Sequence, residues 1–283
     1  MVESLLELGR RIFKGHQHTH LAGEPLLTVQ DVTVKYEQGV GLEQISFDLQ
    51  GGENVAVVGP NGAGKSTLFK VIAGVIKHQK GQVKVSGVEP GGHVCISYVP
   101  QRSQVDWNFP VTVADVVMMG RISKLGPFRI PQPRDWKQVR QALETVGLDA
   151  LGKRQISELS GGQQQRMFIA RALVQEAELM LMDEPLRGLD VPSLESVLAA
   201  LNMLQEKGVT IMVAMHDLKL AAEQFDQIML INKRLFAFGT PEEVLQAELL
   251  RQAYGSRVHV VAEGTQTLAV DDGCCEGDHH GMA

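Results

Sequence analysis

The segment GPNGAGKST, residues 59–67, constrains the fold of this chain more than any other stretch. It directly follows the apolar run Val55–Val58, which predicts a buried strand at Asn54–Val58. A helical pattern comes next, with apolar residues at i, i+3, i+4 and i+7: Leu68, Val71, Ile72 and Val75. Glycines in such a loop let backbone N–H groups point inward around phosphates, and the following helix adds its dipole. The order of strand, loop and helix therefore predicts a nucleotide site, with a glycine-rich turn that holds no ligand as the alternative.

The spacing of residues 59–66 fits the pattern G-x-x-x-x-G-K-[ST]. The lysine of this pattern reaches the β- and γ-phosphates, and its hydroxyl residue ligates Mg²⁺. Lys65 and Ser66 occupy these two positions. We therefore expect a nucleoside triphosphate and Mg²⁺ to bind here.

Two further apolar runs end in polar side chains. LMLMDEP, residues 179–185, predicts a buried strand that ends in two carboxylates. Asp183 suits the Mg²⁺ shell through a water, and Glu184 points to the other side, where it can polarise an attacking water. A strand followed by an ordinary acidic turn is the alternative. TIMVAMHD, residues 210–217, ends in His216, and a lone histidine after a strand is more often a structural hydrogen-bonding group than a catalyst.

The stretch LSGGQQQR, residues 159–166, predicts a second helix N-terminus. A Ser-Gly-Gly turn leaves backbone amides bare, which makes a second anion site. One chain with one phosphate loop has no obvious use for it, unless two copies face each other and each caps the γ-phosphate of the other.

With these motifs together, the sequence resembles the ATP-binding subunit of ABC transporters over about 26–255, nearly the whole chain, in the expected motif order. The resemblance implies an α/β fold: a P-loop ATPase with a RecA-like parallel-sheet core, an N-terminal antiparallel β subdomain and a helical signature subdomain at about 103–165. It also implies ATP and Mg²⁺ as cofactors and hydrolysis of ATP to ADP and phosphate.

The roles that the resemblance implies follow position by position. Tyr36 is the aromatic residue that stacks on adenine. Asp183 and Glu184 are the Mg²⁺-shell residue and the catalytic base, and His216 is the switch histidine. The signature that completes the opposite subunit's site is Ser160, Gly161, Gly162 and Gln163. Gln101 is the glutamine that touches Mg²⁺ or water, and Asp190 is the D-loop aspartate. The phosphate loop consists of Gly59, Pro60, Asn61, Gly62, Ala63, Gly64, Lys65, Ser66 and Thr67.

Two positions depart from the commonest pattern of the family. Arg187 stands in the D-loop where a small residue is more usual, and Met215 precedes His216 where Thr or Ser is frequent. Neither change removes a catalytic group, so an active ATPase is expected.

The segments VPQRSQVDWNFPVTVADVVMMGR and INKRLFAFGTPEEVL resemble the branch of the family that imports manganese, zinc or ferrous iron. The surface 101–121 lies where the ATPase of this family meets the coupling helix of its permease. Trp107 and Phe109 offer that surface an apolar anchor. Packing within the helical subdomain is an equal alternative for each ring, because sequence does not separate exposed from buried aromatic side chains.

The resemblance thus implies a subunit that closes as a head-to-tail homodimer around two ATP and works under a metal-ion permease, supplied indirectly by a metal-binding solute-binding protein. It would lie peripherally on the cytoplasmic side of a bacterial cell membrane. A non-transport ABC ATPase acting on nucleic acid or ribosomes, and an ABC-type assembly protein without a permease, are the rival classes. A formal net charge of −6 and the lack of a basic stripe disfavour nucleic acid.

The rest of the sequence adds little about function. The first 20 residues have no uninterrupted apolar region of the kind a secretory signal needs, and no apolar run approaches the roughly 20 residues that span a bilayer. Three cysteines are too few for a disulfide framework. We expect a polar extension at 1–25 with a short amphipathic helix at 5–13, and a tail at 256–283 whose last part is disordered. Both ends hold metal-type donors, which are not counted as a site: His16, His18, His20, Cys274, Cys275, Asp278, His279 and His280.

Overall fold

The computed structural model describes residues 24–37, 39–90, 95–125 and 130–255, together with 262–263 and 266–267. The predicted helix at 5–13, the terminal histidine and cysteine clusters and the expected disorder of the last residues lie outside the described residues.

The first half of the described chain is mostly strand, and a helical stretch follows it. The strands of this first half are β1 (Leu27–Tyr36), β2 (Gly39–Leu49), β3 (Asn54–Val58), β4 (Lys80–Val85) and β5 (Ile96–Val99), with helix α1 (Lys65–Ile72) after β3. The helices that follow are α2 (Val113–Met119), α3 (Ile122–Leu125), α4 (Pro133–Thr145) and α5 (Gly161–Gln175), with 3₁₀ turns at Arg102–Gln104, Asp149–Leu151 and Ile156–Glu158.

In the second half, strands and helices alternate. The elements are β6 (Leu179–Asp183), α6 (Val191–Glu206), β7 (Thr210–Ala214), α7 (Leu218–Gln224), β8 (Gln227–Asn232), β9 (Arg234–Gly239), α8 (Pro241–Val244), α9 (Ala247–Tyr254), β10 (Ala262–Glu263) and β11 (Gln266–Thr267). None of the helices in the described ranges has the length and apolar character that crossing a membrane requires.

A six-stranded sheet in the order β5-β6-β7-β3-β8-β9 forms the centre of the molecule. The first five strands in that order are parallel, and β9 closes the edge antiparallel to β8. All residues of β3, β6 and β7 are buried, because both faces of the sheet are covered. The α/β fold class predicted from the sequence is therefore confirmed.

Successive side chains of each central strand enter two different cores. From β3, Ala56 and Val58 pack with the helices α2, α4, α5 and α6 on one face of the sheet. Val55 and Val57 pack on the other face with α1 and with a small antiparallel sheet of order β2-β1-β4. This alternation is the two-residue period of a strand, and it ties the antiparallel sheet and the helical stretch to opposite faces of one parallel sheet.

Helix α1 is shorter than the sequence pattern predicts. Leu68, Val71 and Ile72 are buried as expected, but the helix ends at Ile72 and Val75 is 60% exposed. Gly74 has a φ of 70°, a left-handed conformation that ends helices. The prediction that Val75 continues the apolar face was therefore wrong, because the glycine turns the chain away one residue earlier.

The parallel sheet brings the motifs to one edge. Neighbouring parallel strands end side by side, with Val99 beside Met182 and Asp183 beside Ala214. Val57 of β3 is also paired with Ala214. In open α/β sheets, ligands bind at the carboxyl ends of the strands. The loops that leave β3, β5, β6 and β7 carry the candidate residues, and all four loops start from this edge.

Candidate nucleotide-binding and hydrolysis site

The loop between β3 and α1 has a backbone that glycine alone accommodates at its end. Gly64 has a φ of 97°, and a Cβ atom there would lie 2.6 Å from the carbonyl oxygen of Gly41. Gly62 also has a positive φ, of 77°. Such a run of backbone conformations turns successive N–H groups toward one point, which is the geometry of an anion cradle.

Lys65 opens helix α1 and lies across the loop. Its side chain is buried, and its Nζ donates to the carbonyl oxygens of Gly59 at 2.6 Å and Pro60 at 3.2 Å. Nζ also lies 3.5 Å from Nδ1 of His216. The lysine thus connects the loop after β3 to the residue that follows β7.

Asp183, at the end of β6, faces the first turn of α1. Ser66 lies near the carboxylate of Asp183, which is only 2% exposed. Its Oδ2 atom has no hydrogen-bond partner. Burial raises the pKa of Asp183, and the nearby charge of Glu184 raises it further, while Ser66, Lys70 and Lys65 offset the shift only in part. A buried oxygen without a partner indicates a place where a cation or its water shell can bind.

Glu184 is the point at which three loops meet. His216 contacts Oε1 through Nε2, and Gln101 donates its Nε2 hydrogen to Oε2 at 2.9 Å. Arg187 donates to the same Oε2 at 3.0 Å. The φ of Glu184 is 52°, in the left-handed region that residues other than glycine rarely adopt. This turn carries the Glu184 side chain toward the loops of β5 and β7.

The electrostatics of Glu184 favour its ionised form. Burial raises its pKa, but hydrogen bonds from His216 and Arg187 and the positive charge of Arg187 lower it, and the net pKa is below the ordinary value. An imidazole with its proton on Nε2 satisfies both neighbours of His216, because Nδ1 then accepts from Lys65 and Nε2 donates to Glu184. Lys65, His216 and Glu184 therefore form one polar chain across the sheet edge.

Tyr36, at the end of β1, lies at the rim of the phosphate loop. Its ring is 50% exposed, and its hydroxyl is 3.2 Å from Oγ1 of Thr67 in α1. The antiparallel sheet thus places an exposed aromatic side chain next to the loop.

The signature residues form the N-terminus of α5. Ser160 caps the helix with its hydroxyl, while Gln163 reaches back to the Ser160 N–H at 2.9 Å. Gly162 packs so closely on α6 that a Cβ atom would lie 2.7 Å from the Cβ of Ser193. The hydrogen bonds of Ser160 in the described ranges stay within its own helix. Asp190 is exposed at the N-cap of α6 and makes no side-chain capping bond.

The structure therefore divides the predicted residues into two groups. The phosphate loop, Gln101, Asp183, Glu184 and His216 meet at the carboxyl edge of the sheet, whereas the helix start at Ser160 and the exposed Asp190 are outside that contact network. Sequence reasoning singled out Arg187 as unusual but missed its contact with Glu184. The one signal was a pair of opposite charges three residues apart, a spacing that predicts contact in a helix and not in a turn.

The two aromatic side chains of the surface 101–121 also separate. Trp107 is partly buried and stacks edge-on against Phe168 with ring centroids 6.0 Å apart, and its indole N–H donates to the Arg102 carbonyl oxygen at 2.9 Å. Phe109 is 55% exposed. Of the two possibilities left open by the sequence, packing therefore holds for Trp107, and Phe109 remains available at the surface.

Comparison with known proteins agrees with this geometry. Residues 42–187 match the family model described as ABC transporter. The chain belongs to the ABC transporter family. The manganese transport system ATP-binding protein MntB of Bacillus subtilis is 43% identical over 83% of this chain and 97% of its own length. The zinc transport system ATP-binding protein TroB of Treponema pallidum is 45% identical over 81% of this chain and 87% of its own length.

A solved ABC transporter in an inward-facing conformation has the same fold. It is 30% identical, with a TM-score of 0.72 over 81% of this chain and 89% of that chain. The ABC-type fold and the family resemblance predicted from the sequence are thus confirmed. This ABC transporter chain binds nucleotide, and it is an ATPase whose hydrolysis of ATP drives transport.

Proposed function

We propose that this ABC transporter subunit powers the import of a divalent transition metal ion, manganese or zinc first and iron third. The observation that carries the choice of cargo is the identity of 43–45% to the ATP-binding proteins of a manganese and a zinc transport system. The observation that carries the chemistry is the meeting of Lys65, Asp183, Glu184 and His216 at one sheet edge.

The phosphate loop and Lys65 would hold the nucleotide. Backbone N–H groups that converge from a glycine-rich loop, a helix N-terminus and an ammonium group together neutralise the β- and γ-phosphates. Lys65 is held between the loop carbonyls and His216, so its side chain is already ordered before ATP binds. This preorganisation supports positioning and charge stabilisation, which supply most of the catalysis in phosphoryl transfer.

The donor set fits Mg²⁺. The described residues hold no group of three or more His, Cys, Asp or Glu side chains that could bind a metal without further ligands. Mg²⁺ commonly uses one or two carboxylates and the substrate phosphates, and the Ser66 hydroxyl, the partner-less Oδ2 of Asp183 and the Gln101 side chain would supply the protein ligands. When bound there, the ion would neutralise charge on the phosphates.

Glu184 would act as the general base. Its carboxylate is held ionised, and a carboxylate next to the γ-phosphate can take the proton of the attacking water. The hydrogen bond from His216 fixes the direction in which the carboxylate points. Because His216 contacts Lys65, binding or loss of the γ-phosphate at Lys65 would also affect the position of His216.

The helix start at Ser160 would complete the site of a second copy of this chain. Ser160 is exposed at the start of this helix, and its hydrogen bonds do not lead to the phosphate loop of its own chain. A head-to-tail homodimer around two ATP gives the backbone N–H groups of this helix start a phosphate to bind. Dimer closure on binding and opening after hydrolysis would be the motion passed to a permease at the cytoplasmic face of the membrane, with a metal-binding solute-binding protein delivering the ion.

Tyr36 would stack on the adenine ring. Stacking of a base on an aromatic side chain contributes roughly 1–3 kcal/mol in nucleic-acid complexes. We expect Tyr36→Ala to weaken ATP binding by roughly 5- to 150-fold, the equivalent in Kd. Tyr36→Phe keeps the ring, removes the hydroxyl that contacts Thr67, and should bind ATP like the wild type. Titration calorimetry measures both, and unchanged affinity in Tyr36→Ala would show that the ring packs elsewhere.

Radiotracer uptake in a strain that lacks this subunit tests the cargo. Loss of manganese or zinc uptake, restored by the wild-type gene, is expected. Normal uptake of manganese, zinc and iron in the deletion strain would contradict metal import and leave an ABC ATPase of unknown cargo.

The same strain tests the permease-facing surface. Phe109→Ala removes an exposed ring and should reduce uptake while the ATPase activity of the purified subunit and its Tm stay unchanged. Trp107→Ala removes a ring that packs on Phe168, so it should lower the Tm as well. Val88→Ala, which shortens an exposed apolar side chain just beyond the end of β4, is the matched control and should leave uptake unchanged. Normal uptake with Phe109→Ala would show that the permease binds elsewhere.

A further inference from the structure

Arg187 folds back from the surface onto Glu184. It lies in the turn between β6 and α6, just before Gly188, whose φ of 71° lets the turn reverse. The Arg187 side chain is 69% exposed, yet its guanidinium Nη1 is 3.0 Å from Oε2 of Glu184. An arginine side chain in an exposed turn can adopt many rotamers, and the rotamer of Arg187 directs its guanidinium to Glu184.

The acceptor capacity of the Glu184 carboxylate shows what this contact does. Each carboxylate oxygen accepts about two hydrogen bonds. Oε1 accepts one, from His216, and Oε2 accepts two, from Gln101 and Arg187. Both acceptor positions of Oε2 are therefore in use, and Arg187 occupies one of them.

A general base needs an acceptor position for the water that it deprotonates. The proton donor must come within hydrogen-bond distance of the accepting oxygen. With Arg187 and Gln101 both in place, Oε2 offers the water no position, and the water is limited to the position that remains on Oε1 beside His216. One of these two groups must leave Oε2 before that atom can serve as the base.

We propose that Arg187 is a positioning residue that restrains hydrolysis by holding Oε2 of Glu184, and that its release is part of activation. This inference rests on the proposed role of Glu184 as base. Arg187 is suited to a reversible restraint because its side chain is mostly exposed, and an exposed ion pair is weak and screened by salt. Gln101 and His216 also hold Glu184, but they are part of the site itself, whereas Arg187 reaches it from outside.

The test is the steady-state ATPase activity of the purified full-length chain with Mg-ATP. Arg187→Ala should raise kcat by about two- to fivefold, the equivalent of one exposed ion pair, with KM unchanged. Arg187→Lys keeps a cation at this position and should stay near the wild-type rate. Raising the salt concentration should bring the wild type toward the rate of Arg187→Ala, since screening releases the same contact.

The matched control is Arg234→Ala, which breaks an exposed ion pair with Glu43 at 2.8 Å in another part of the molecule and should change neither kcat nor KM. In a Glu184→Gln background, Arg187→Ala should have no effect on the rate. A lower or unchanged kcat in Arg187→Ala, with an unchanged Tm, would overturn the restraint. Near-normal turnover by Glu184→Gln alone would instead overturn the proposed base, so the two failures are distinguishable.

Discussion

Replacing Glu184 by glutamine is expected to reduce ATP hydrolysis by about 10²–10⁴-fold, the usual effect of losing a general base. Glutamine has the shape of glutamate but cannot take a proton from water. ATP binding should persist, because the phosphate loop and Lys65 are untouched. The variant should therefore trap an ATP-dependent dimer, which gel filtration with and without ATP would show next to a phosphate-release assay.

The environment of Glu184 tolerates most of this substitution. An amide oxygen in the place of Oε2 can still accept from Gln101 and Arg187. The amide NH2 then takes the place of Oε1, so the acceptor that faces His216 is lost while the turn after β6 keeps its other two contacts. Glu43→Gln is the matched control, because Glu43 also pairs with an arginine but lies outside the site. It should hydrolyse ATP like the wild type. Turnover close to the wild-type rate in Glu184→Gln would show that another group is the base.

The central sheet was predictable because its strands carry a strong signal. β3, β6 and β7 are short and fully buried, so each appears as an unbroken apolar run that ends in a polar motif. Parallel strands end at a common edge, and this rule predicts that the polar ends gather. The order β5-β6-β7-β3-β8-β9 was not predictable in the same way, since it depends on how helices pack across the sheet faces.

Side-chain contacts were less predictable than the positions of the motifs. The motif residues at the carboxyl edge could be named from spacing, but the contacts that join them connect residues 83 and 151 positions apart in the chain. Arg187 pairs with Glu184 in a turn, where the helical rule for residues three apart does not apply. Trp107 and Phe109 have the same apolar character in sequence, and only the packing of Phe168 separates them.

Replacing Ser160 by arginine is expected to lower ATP hydrolysis by at least about 10²-fold, as the loss of a preorganised anion-binding group does. The arginine places a long side chain where the backbone N–H groups at the start of α5 would meet the γ-phosphate of a second copy. A single subunit should still bind ATP, because its phosphate loop and Lys65 remain. Equilibrium ATP binding and phosphate release measured on one preparation separate the two effects, and a collapse of ATP affinity in the monomer would contradict a site made from two chains.

The substitution also removes a helix cap, which costs about 1 kcal/mol of stability and needs its own control. Thr240 stands at the N-cap of α8, where Glu243 reaches back to the Thr240 N–H at 2.9 Å as Gln163 does to Ser160. Thr240→Arg therefore changes another exposed N-cap away from the signature. A Tm lowered equally in both variants, with hydrolysis lost only in Ser160→Arg, assigns the loss to the site.

Mixing the two inactive variants tests the two-chain site most directly. In a head-to-tail dimer of one Ser160→Arg chain and one Glu184→Gln chain, one site combines the intact Glu184 of the first with the intact Ser160 of the second. The other site carries both defects. The two variants are mixed in equal amounts before ATP is added. If the chains pair at random and the two sites work independently, about half of the dimers are mixed and each has one intact site. ATPase activity should then recover to about a quarter of the wild-type value. If each chain held its whole site, the mixture would show only the sum of two inactive proteins. Tagged chains that co-purify as heterodimers without recovering hydrolysis would contradict the composite site.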